Sequence, residues 1–393
     1  MARTLTNTTV GIVGGGPAGL MLSHLLAQAG IASVVVDHRT RLEIEQTVRA
    51  GILERDSVRM LVDGGVSDRV LREGHEHQGI DLAFGGGGHR IDFADLVGAS
   101  VWLYPQTDVF IDLVDARARG GGDVRFGVRE VSVHDVTARP SIRFRDVEGL
   151  EQEVRCDYLV GADGSRSICR QEIPRDQRAD YFREYPFAWF GILCEAPMSA
   201  PELIYSHSDR GFALISQRTE TMQRMYFQCD PAESVDDWSD DRIWTELQAR
   251  VGANGYTLAE GPITSRTVLP FRSFVCEPMR HGNLLLAGDA AHTVPPTGAK
   301  GLNLALADVK VLAEILEQAV SSADSAVLDT YTARALGRVW KAQHFSYWMT
   351  TMLHTLPDAT PFDVRRQIGE LTSVVSSRAG STFLAEAYTG WPH

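Results

Sequence analysis

Thr9-Val10-Gly11-Ile12-Val13-Gly14-Gly15-Gly16-Pro17-Ala18-Gly19-Leu20 decides how this chain folds. Residues 9–13 are short, apolar and β-branched, which reads as a buried strand. Residues 14–19 spell G-x-G-x-x-G. Residues 20–29 then carry apolar side chains at helical spacing, and Gly30 stops them. Ala32-Ser33-Val34-Val35-Val36-Asp37 reads as a second buried strand ending in an acid. Each part has a physical task. Gly14 permits the tight turn, Gly16 lets the backbone approach a pyrophosphate, and Gly19 lets the helix pack close to the strand. The helix start, with Ala18 in its first turn, offers free N–H groups and a positive dipole end to phosphate. Asp37, eighteen positions past Gly19, is placed to accept hydrogen bonds from a ribose diol. Strand, glycines, helix, strand and acid in this order predict an adenine dinucleotide. The blander alternative is a tight strand–helix–strand turn.

Two further strand-to-turn stretches extend the reading. Residues 283–292, Asn-Leu-Leu-Leu-Ala-Gly-Asp-Ala-Ala-His, are an apolar strand running into Gly288-Asp289. A Pro/Gly loop follows, Pro295-Pro296-Thr297-Gly298-Ala299-Lys300-Gly301-Leu302-Asn303, and helical periodicity begins at Leu302. Asp289 suits a ribityl hydroxyl. The new helix start suits a ring oxygen that gains negative charge on reduction, as a flavin's does and a nicotinamide's does not. Read blandly, this is a strand–loop–helix connection with a chance Gly-Asp. The third stretch, Val160-Gly161-Ala162-Asp163-Gly164-Ser165-Arg166, is again strand then Gly-rich turn, with Arg170 at helical spacing from Arg166.

Together the three stretches resemble the fingerprint set of the flavoprotein aromatic hydroxylases. The resemblance narrows to those acting on 4-hydroxybenzoate. It rests on Glu202-Leu203-Ile204-Tyr205, residues 210–218, Arg224-Met225-Tyr226, Asp237-Trp238-Ser239-Asp240, the loop 295–303 and Glu386-Ala387-Tyr388-Thr389-Gly390, in family order from residue 9 to 392. It implies a mixed α/β fold: a Rossmann-like FAD-binding domain, an inserted antiparallel-sheet substrate domain, and C-terminal helices. The FAD unit is expected from 1–74, 100–180 and 270–325. The substrate sheet is expected from 75–99 and 181–269, where residues such as 79–84 and 224–228 alternate apolar and polar. Residues 85–88, all glycine, read as a hairpin turn. Residues 326–393 are expected to be helical, with aromatics dense enough for a core or a homodimer interface.

The resemblance also implies the chemistry. FAD is reduced by NADH or NADPH, reacts with O2 to a C4a-hydroperoxide, and oxygenates 4-hydroxybenzoate at C3. The protein must orient the substrate, remove its phenolic proton and exclude water. The implied proton relay is Tyr205, Tyr388, then His77. Alone, the two tyrosines read as caps on separate cores, and His75-Glu76-His77 as an exposed strand or a metal pair. Metal is rejected because no third and fourth ligands stand at useful spacing. Ser216 and Arg218 share one strand face and Tyr226 joins them from the next, giving a fork for the substrate carboxylate. Without the resemblance this trio reads as a solvated strand face. Pro296 is expected to offer its carbonyl to the phenolic edge, and Lys300 a positive charge near phenolate and flavin. Arg49, Gln106, Arg224, Gly298, Gly301, Leu302 and Asn303 are expected to join Gly14, Gly16, Ala18, Gly19, Asp37 and Asp289 around FAD.

The nicotinamide has no second Gly-rich motif. It is expected on the surface of the FAD unit, against His38, Arg39, Glu43, Arg166, Arg170 and Arg272. Glu43 and Glu45 stand where a 2′-phosphate would be repelled, which favours NADH.

Bulk properties agree with a soluble enzyme. In 393 residues the net charge is −13, which argues against nucleic acid or an anionic membrane as partner. No apolar run is long enough to span a bilayer, and residues 1–9 are polar without a signal pattern. The five cysteines are scattered without a C-x-x-C, as expected of reduced thiols in the cytoplasm.

Overall fold

A computed structural model describes residues 3–47 and 51–391. Arg49, expected at FAD, lies outside the described residues. The opening motif folds as its residues dictate. Strand Thr4–Val13 pairs in parallel with Ser33–Asp37 on one side and Glu151–Gly161 on the other. Between the first two strands runs helix Pro17–Gln28, packed against Gln106–Arg119 and Gly301–Ser322. Asp123–Phe126 and Leu284–Leu286 extend the parallel core outward, and Arg280–His281 closes one edge antiparallel. Arg129–His134 and Ser141–Arg145 branch from Glu151–Gly161 as an antiparallel pair, completing eight strands.

The glycines of the turn have separable reasons. Gly14 has φ +112°, and a Cβ there would stand 2.1 Å from the Ala162 carbonyl oxygen. The first and third fingerprint strands therefore touch backbone to backbone, locked by Ala162 N–H donating to the Val13 carbonyl at 2.8 Å. A Cβ on Gly19 would meet the Gly14 carbonyl at 2.0 Å. Gly16 is different: nothing lies within 4 Å of a Cβ built on it.

A second eight-stranded sheet lies beyond. Its order is His292–Thr293, Ile263–Glu277, Ala179–Cys194, Met222–Cys229, Gly211–Thr219, Leu203–Ser208, Gly79–Phe84, Gly87–Asp92. It was expected to be antiparallel, and it is except at one joint. Leu203–Ser208 pairs in parallel with Gly79–Phe84, because the two strands belong to separate excursions of the chain. The expected hairpin is present: Gly85 and Gly86 turn with φ +62° and +90°, as a two-residue connection requires. The expected boundary at residue 270 falls inside Ile263–Glu277. His75–His77 joins Val101–Leu103 and Ile52–Glu54 in a small third sheet between the units. Helices Tyr331–Leu353, Pro361–Val375 and Arg378–Thr389 close the chain, the first packing on Gly301–Ser322.

Two neutral histidines are enclosed by this packing. Burial pushes His77 down to about 4 and His354 down to about 3. In the unfolded chain each titrates near pH 6.5, so the unfolded state takes up protons the fold refuses. Their contribution is whole above about pH 6.5 and is lost as pH falls through the folded values, amounting to about 3 kcal/mol for His77 by pH 4. His292 acts in the opposite sense: burial is outweighed by Asp308, and its proton is favoured in the fold. Urea unfolding at pH 6.5 and pH 5, above most carboxylate titration, should show stability falling with acid; no change would contradict the buried neutral assignments.

The glycine geometry gives a paired test. Gly14→Ala should destabilise the fold by several kcal/mol, through overlap with the Ala162 carbonyl and a strained φ. Gly16→Ala should leave thermal stability of the apoprotein unchanged while weakening dinucleotide retention. Equal thermal losses in the two variants would remove the distinction.

Candidate active site

Two of the helix starts without side-chain caps in the first unit follow its glycine-rich turns. At Pro17–Gln28 the N-cap is Gly16, which cannot supply one, and at Gly301–Ser322 the N-cap Lys300 does not. Their first N–H groups therefore face away from any side-chain acceptor, and built Cβ atoms on Gly16 and Gly301 meet nothing within 4 Å. This cradle fits a dinucleotide with phosphates at the first helix and an electron-rich ring edge at the second. Ala18 and Leu302 lie in these first turns. Gln106 begins helix Gln106–Arg119, half-buried. Asp289 stands in the 3-10 turn Gly288–Ala290, and Gly298 packs under Ser346 and Phe345.

Several expected cofactor contacts are bound by the chain itself. Asp37 is buried and receives four hydrogen bonds: from Gly15 N at 2.8 Å, Arg39 N at 2.9 Å, Arg39 Nε at 3.2 Å and Arg39 Nη2 at 3.0 Å. Arg39 thus pairs with Asp37 while staying partly exposed, and a ribose reaching this carboxylate must share or displace it. Asn303 accepts from Glu54 N and Ser57 Oγ and donates to the Ile52 and Ala299 carbonyls, at 2.7–3.0 Å. Its side chain pins strand Ile52–Glu54 to the second helix start. Lys300 Nζ lies 2.6 Å from Glu54 Oε1 and donates to the Tyr388 carbonyl at 2.8 Å. Its charge, expected to face the phenolate, is held by a buried carboxylate that also pairs with Arg338. The Pro296 carbonyl accepts from Ala299 N at 2.9 Å, which leaves it one lone pair.

The nicotinamide set is similarly divided. Arg170 is fastened, donating to the Ala290 and Ser165 carbonyls at 2.6 and 2.8 Å with Phe274 stacked at 4.6 Å. Arg166 and Arg272 are exposed, and so is His38. Glu43 is the third residue of a capping box: Thr40 N and Oγ1 donate to its carboxylate at 2.7 and 2.9 Å and hold it below the usual range.

The substrate sheet gathers the remaining residues. Tyr205, Leu214, Tyr226 and Gly191 are successive partners across four neighbouring strands, so they form one row on one face. Gly191 is required there, since a Cβ would meet the Tyr226 ring at 2.7 Å. Ser216 stands opposite Arg224 and donates to its carbonyl at 2.7 Å, with Arg218 two residues on. Arg224, Ser216 and Tyr226 therefore share that face, and Arg218, at a register shift between Gln217 and Thr219, lies near enough to Arg224 and Tyr226 for both to act on its charge. Neither guanidinium makes an ion pair among the described residues, and Arg224 Nη1 is buried without a partner. Burial, then Arg224, lowers the Arg218 pKa. Two half-buried cations beside a phenol, with no ion-pair carboxylate among the described residues and Asp108 acting on Arg218 only through space, are an arrangement that suits an anion.

At the other end of the row, Tyr205 and Tyr388 hydroxyls are 2.7 Å apart and both are buried. Burial raises both phenols, and the Tyr388 hydroxyl partly offsets it for Tyr205. They stay protonated and can pass a proton without holding charge. His77 is not bonded to either. Its Nε2 lies 2.7 Å from the Gln217 amide, and its buried Nδ1 has no partner.

Sequence reasoning missed four supports. Asp163 accepts from Ser167 Oγ, Ile168 N and Cys169 N, so the third fingerprint's acid is a helix cap. Asp308 accepts from His292 Nε2 at 2.6 Å and Gly288 N at 2.9 Å, bracing the Gly288-Asp289 turn. Glu54 and Gln217 complete the set. Asp308 alone carried a signal, as an acid on the apolar face of the helix starting at Gly301.

Comparison with known proteins identifies the family. The FAD binding domain family matches residues 7–346. The p-hydroxybenzoate hydroxylase of Acinetobacter baylyi is 42% identical over 388 residues, 98% of this chain and 96% of the relative. A 3-(3-hydroxy-phenyl)propionate/3-hydroxycinnamic acid hydroxylase of Paraburkholderia xenovorans is 27% identical over 86% of this chain and 54% of its own. Among solved structures, p-nitrophenol 4-monooxygenase from Pseudomonas putida shares the fold, with TM-score 0.82 at 19% identity over all of both chains. The chain belongs to the p-hydroxybenzoate hydroxylase family of FAD-dependent aromatic hydroxylases.

Proposed function

We propose that this hydroxylase converts 4-hydroxybenzoate, NAD(P)H, O2 and a proton into 3,4-dihydroxybenzoate, NAD(P)+ and water. The observation that carries the reading is the row Tyr205–Leu214–Tyr226, with phenols two strands apart, roughly 10 Å. A para-substituted phenol acid laid along it meets Tyr205 at its hydroxyl and Arg218, Ser216 and Tyr226 at its carboxylate. FAD, when bound in the cradle, supplies hydride acceptance from the nicotinamide and delivery of one oxygen atom of O2 to the ring.

The protein's part is positioning and proton transfer. Arg218 gives the carboxylate a bidentate partner, and Arg224 lies beside it as a second charge toward substrate or flavin. Tyr205 accepts a hydrogen bond from the substrate hydroxyl and hands a proton to Tyr388. The phenolate so formed is the stronger nucleophile, and it directs attack ortho to its oxygen, at C3. His77 is the exit of this relay. Its unpartnered Nδ1 is the atom that could receive the proton, through an intervening donor.

Five unpaired cysteines, and exposed Trp340, Phe362 and Phe383 on the C-terminal helices, support a homodimer in the cytoplasm. Among the described residues no helix is long and apolar enough to cross a membrane.

The two ends of the row should separate on mutation. Arg218→Ala should raise the 4-hydroxybenzoate dissociation constant by the loss of a buried charge pair, about 2–5 kcal/mol. Tyr205→Phe should leave substrate bound and NAD(P)H oxidation intact, with hydrogen peroxide released in place of hydroxylated product. Equal effects of both on binding alone would refute the division.

NADH should serve at least as well as NADPH. Because Glu43 caps its helix, Glu43→Gln is the informative variant: it keeps the capping box and removes the charge. The ratio of kcat/KM for NADPH over NADH should rise in this variant. A strong wild-type preference for NADPH, or an unmoved ratio, would place discrimination elsewhere.

A further inference from the structure

Behind the anion site, Trp189 and His354 form a buried pair that the reaction described above does not use. The indole Nε1–H of Trp189 donates to His354 Nε2 at 2.7 Å. An indole nitrogen is only a donor, so His354 Nε2 must be the acceptor and Nδ1 carries the proton. That proton goes to the Thr350 carbonyl at 2.9 Å, one turn back in helix Tyr331–Leu353. Both ring nitrogens are thus satisfied in one tautomer. The ring is clamped by Phe187 at 4.6 Å and Phe212 at 4.3 Å and is 1% exposed.

What His354 fixes bears on the substrate. The Trp189 ring lies 4.7 Å from the Tyr226 ring, which has room only because residue 191 is glycine. Tyr226 has no other ring contact among the described residues except the Arg224 guanidinium at 5.2 Å. The aim of its hydroxyl therefore depends on the indole. Thr350, which holds His354, also bonds through Oγ1 to Thr297 Oγ1 at 2.9 Å, in the loop after Pro296. One helical turn ties the wall of the carboxylate pocket to the loop of the cofactor cradle.

We infer that His354 is a positioning residue for the carboxylate end of the substrate: by accepting the Trp189 indole proton it sets the Tyr226 ring and registers that wall against the Thr297 loop. The inference rests on the reading of Arg218, Ser216 and Tyr226 as the carboxylate site. A merely space-filling histidine would be replaceable by leucine without effect on binding once the fold is intact.

The test uses the FAD-loaded full chain, reading 4-hydroxybenzoate binding from the flavin absorbance change. His354→Leu should weaken binding roughly tenfold, the effect of one buried donor left unpaired. FAD retention and substrate-free NAD(P)H oxidation should be unchanged. His354→Gln, whose side-chain oxygen can accept from the indole and whose amide can reach Thr350, should recover most of the loss. In a Trp189→Phe background, which has no indole proton to accept, His354→Leu should cost nothing further. Equal weakening by Leu and Gln, or an additive loss in the Trp189→Phe background, would overturn the inference. If His354→Leu does not fold, the Gln variant and its cycle with Trp189→Phe still decide it: additive losses there refute the coupling. Wild-type protein that gives no response to 4-hydroxybenzoate would refute the substrate assignment instead.

Discussion

Two half-buried guanidiniums without an ion-pair partner among the described residues are the constraint around which the substrate sheet is arranged. Arg218 and Arg224 lie on adjacent strands, and burial, then Arg224, disfavours the charged form of Arg218. A protein ordinarily avoids this, because an unpaired buried charge is among the more destabilising things a fold can contain. Here the surrounding sheet keeps both cations and gives neither an ion-pair partner among the described residues. On the proposed reading an anionic ligand relieves this, so that binding strength and substrate choice would come from the same arrangement. Gly191, Trp189 and Tyr226 then read as parts of one wall that gives the anion a shape as well as a charge.

The cofactor unit follows the opposite rule. Several of its charged side chains already have partners: Asp37 with Arg39, Lys300 with Glu54, His292 with Asp308. What it leaves open is backbone, at two uncapped helix starts. Phosphates and an electron-rich ring edge are met there by N–H groups and helix dipoles, which need no reorganisation when a cofactor binds. The seam between the units is carried by helix Tyr331–Leu353. It touches the cradle loop through Thr350 and Phe345, and the substrate wall through His354.

Legibility in the sequence followed the range of the interaction. The first strand, its glycines and helix, the Gly85-Gly86 hairpin, and the Ser216/Arg218 face are local patterns of period 2, 3.6 or one turn, and they formed as read. The resemblance supplied Tyr205 and Tyr388, 183 positions apart and 2.7 Å in space. What escaped were partners set by packing. Lys300 reads as a free charge until Glu54, 246 positions away, closes on it. Asp37 and Arg39 are two residues apart, and their ion pair is set by how the turn between them folds. Glu43, read as a charge facing phosphate, also caps its own helix through Thr40. His77 was paired with the tyrosines, and packing brings it to Gln217. The single parallel joint in the substrate sheet follows from topology, which no local pattern carries.

On the proposed reading the fork recognises charge as well as ring shape. Equilibrium titration of the FAD-loaded wild-type protein with 4-hydroxybenzoate and its neutral isostere 4-hydroxybenzamide, at low and moderate salt, decides this. Two half-buried guanidiniums predict that the amide binds weaker by at least about tenfold at both ionic strengths, since a pair enclosed by the bound substrate is little screened. Equal affinities for the acid and the amide would contradict recognition of charge.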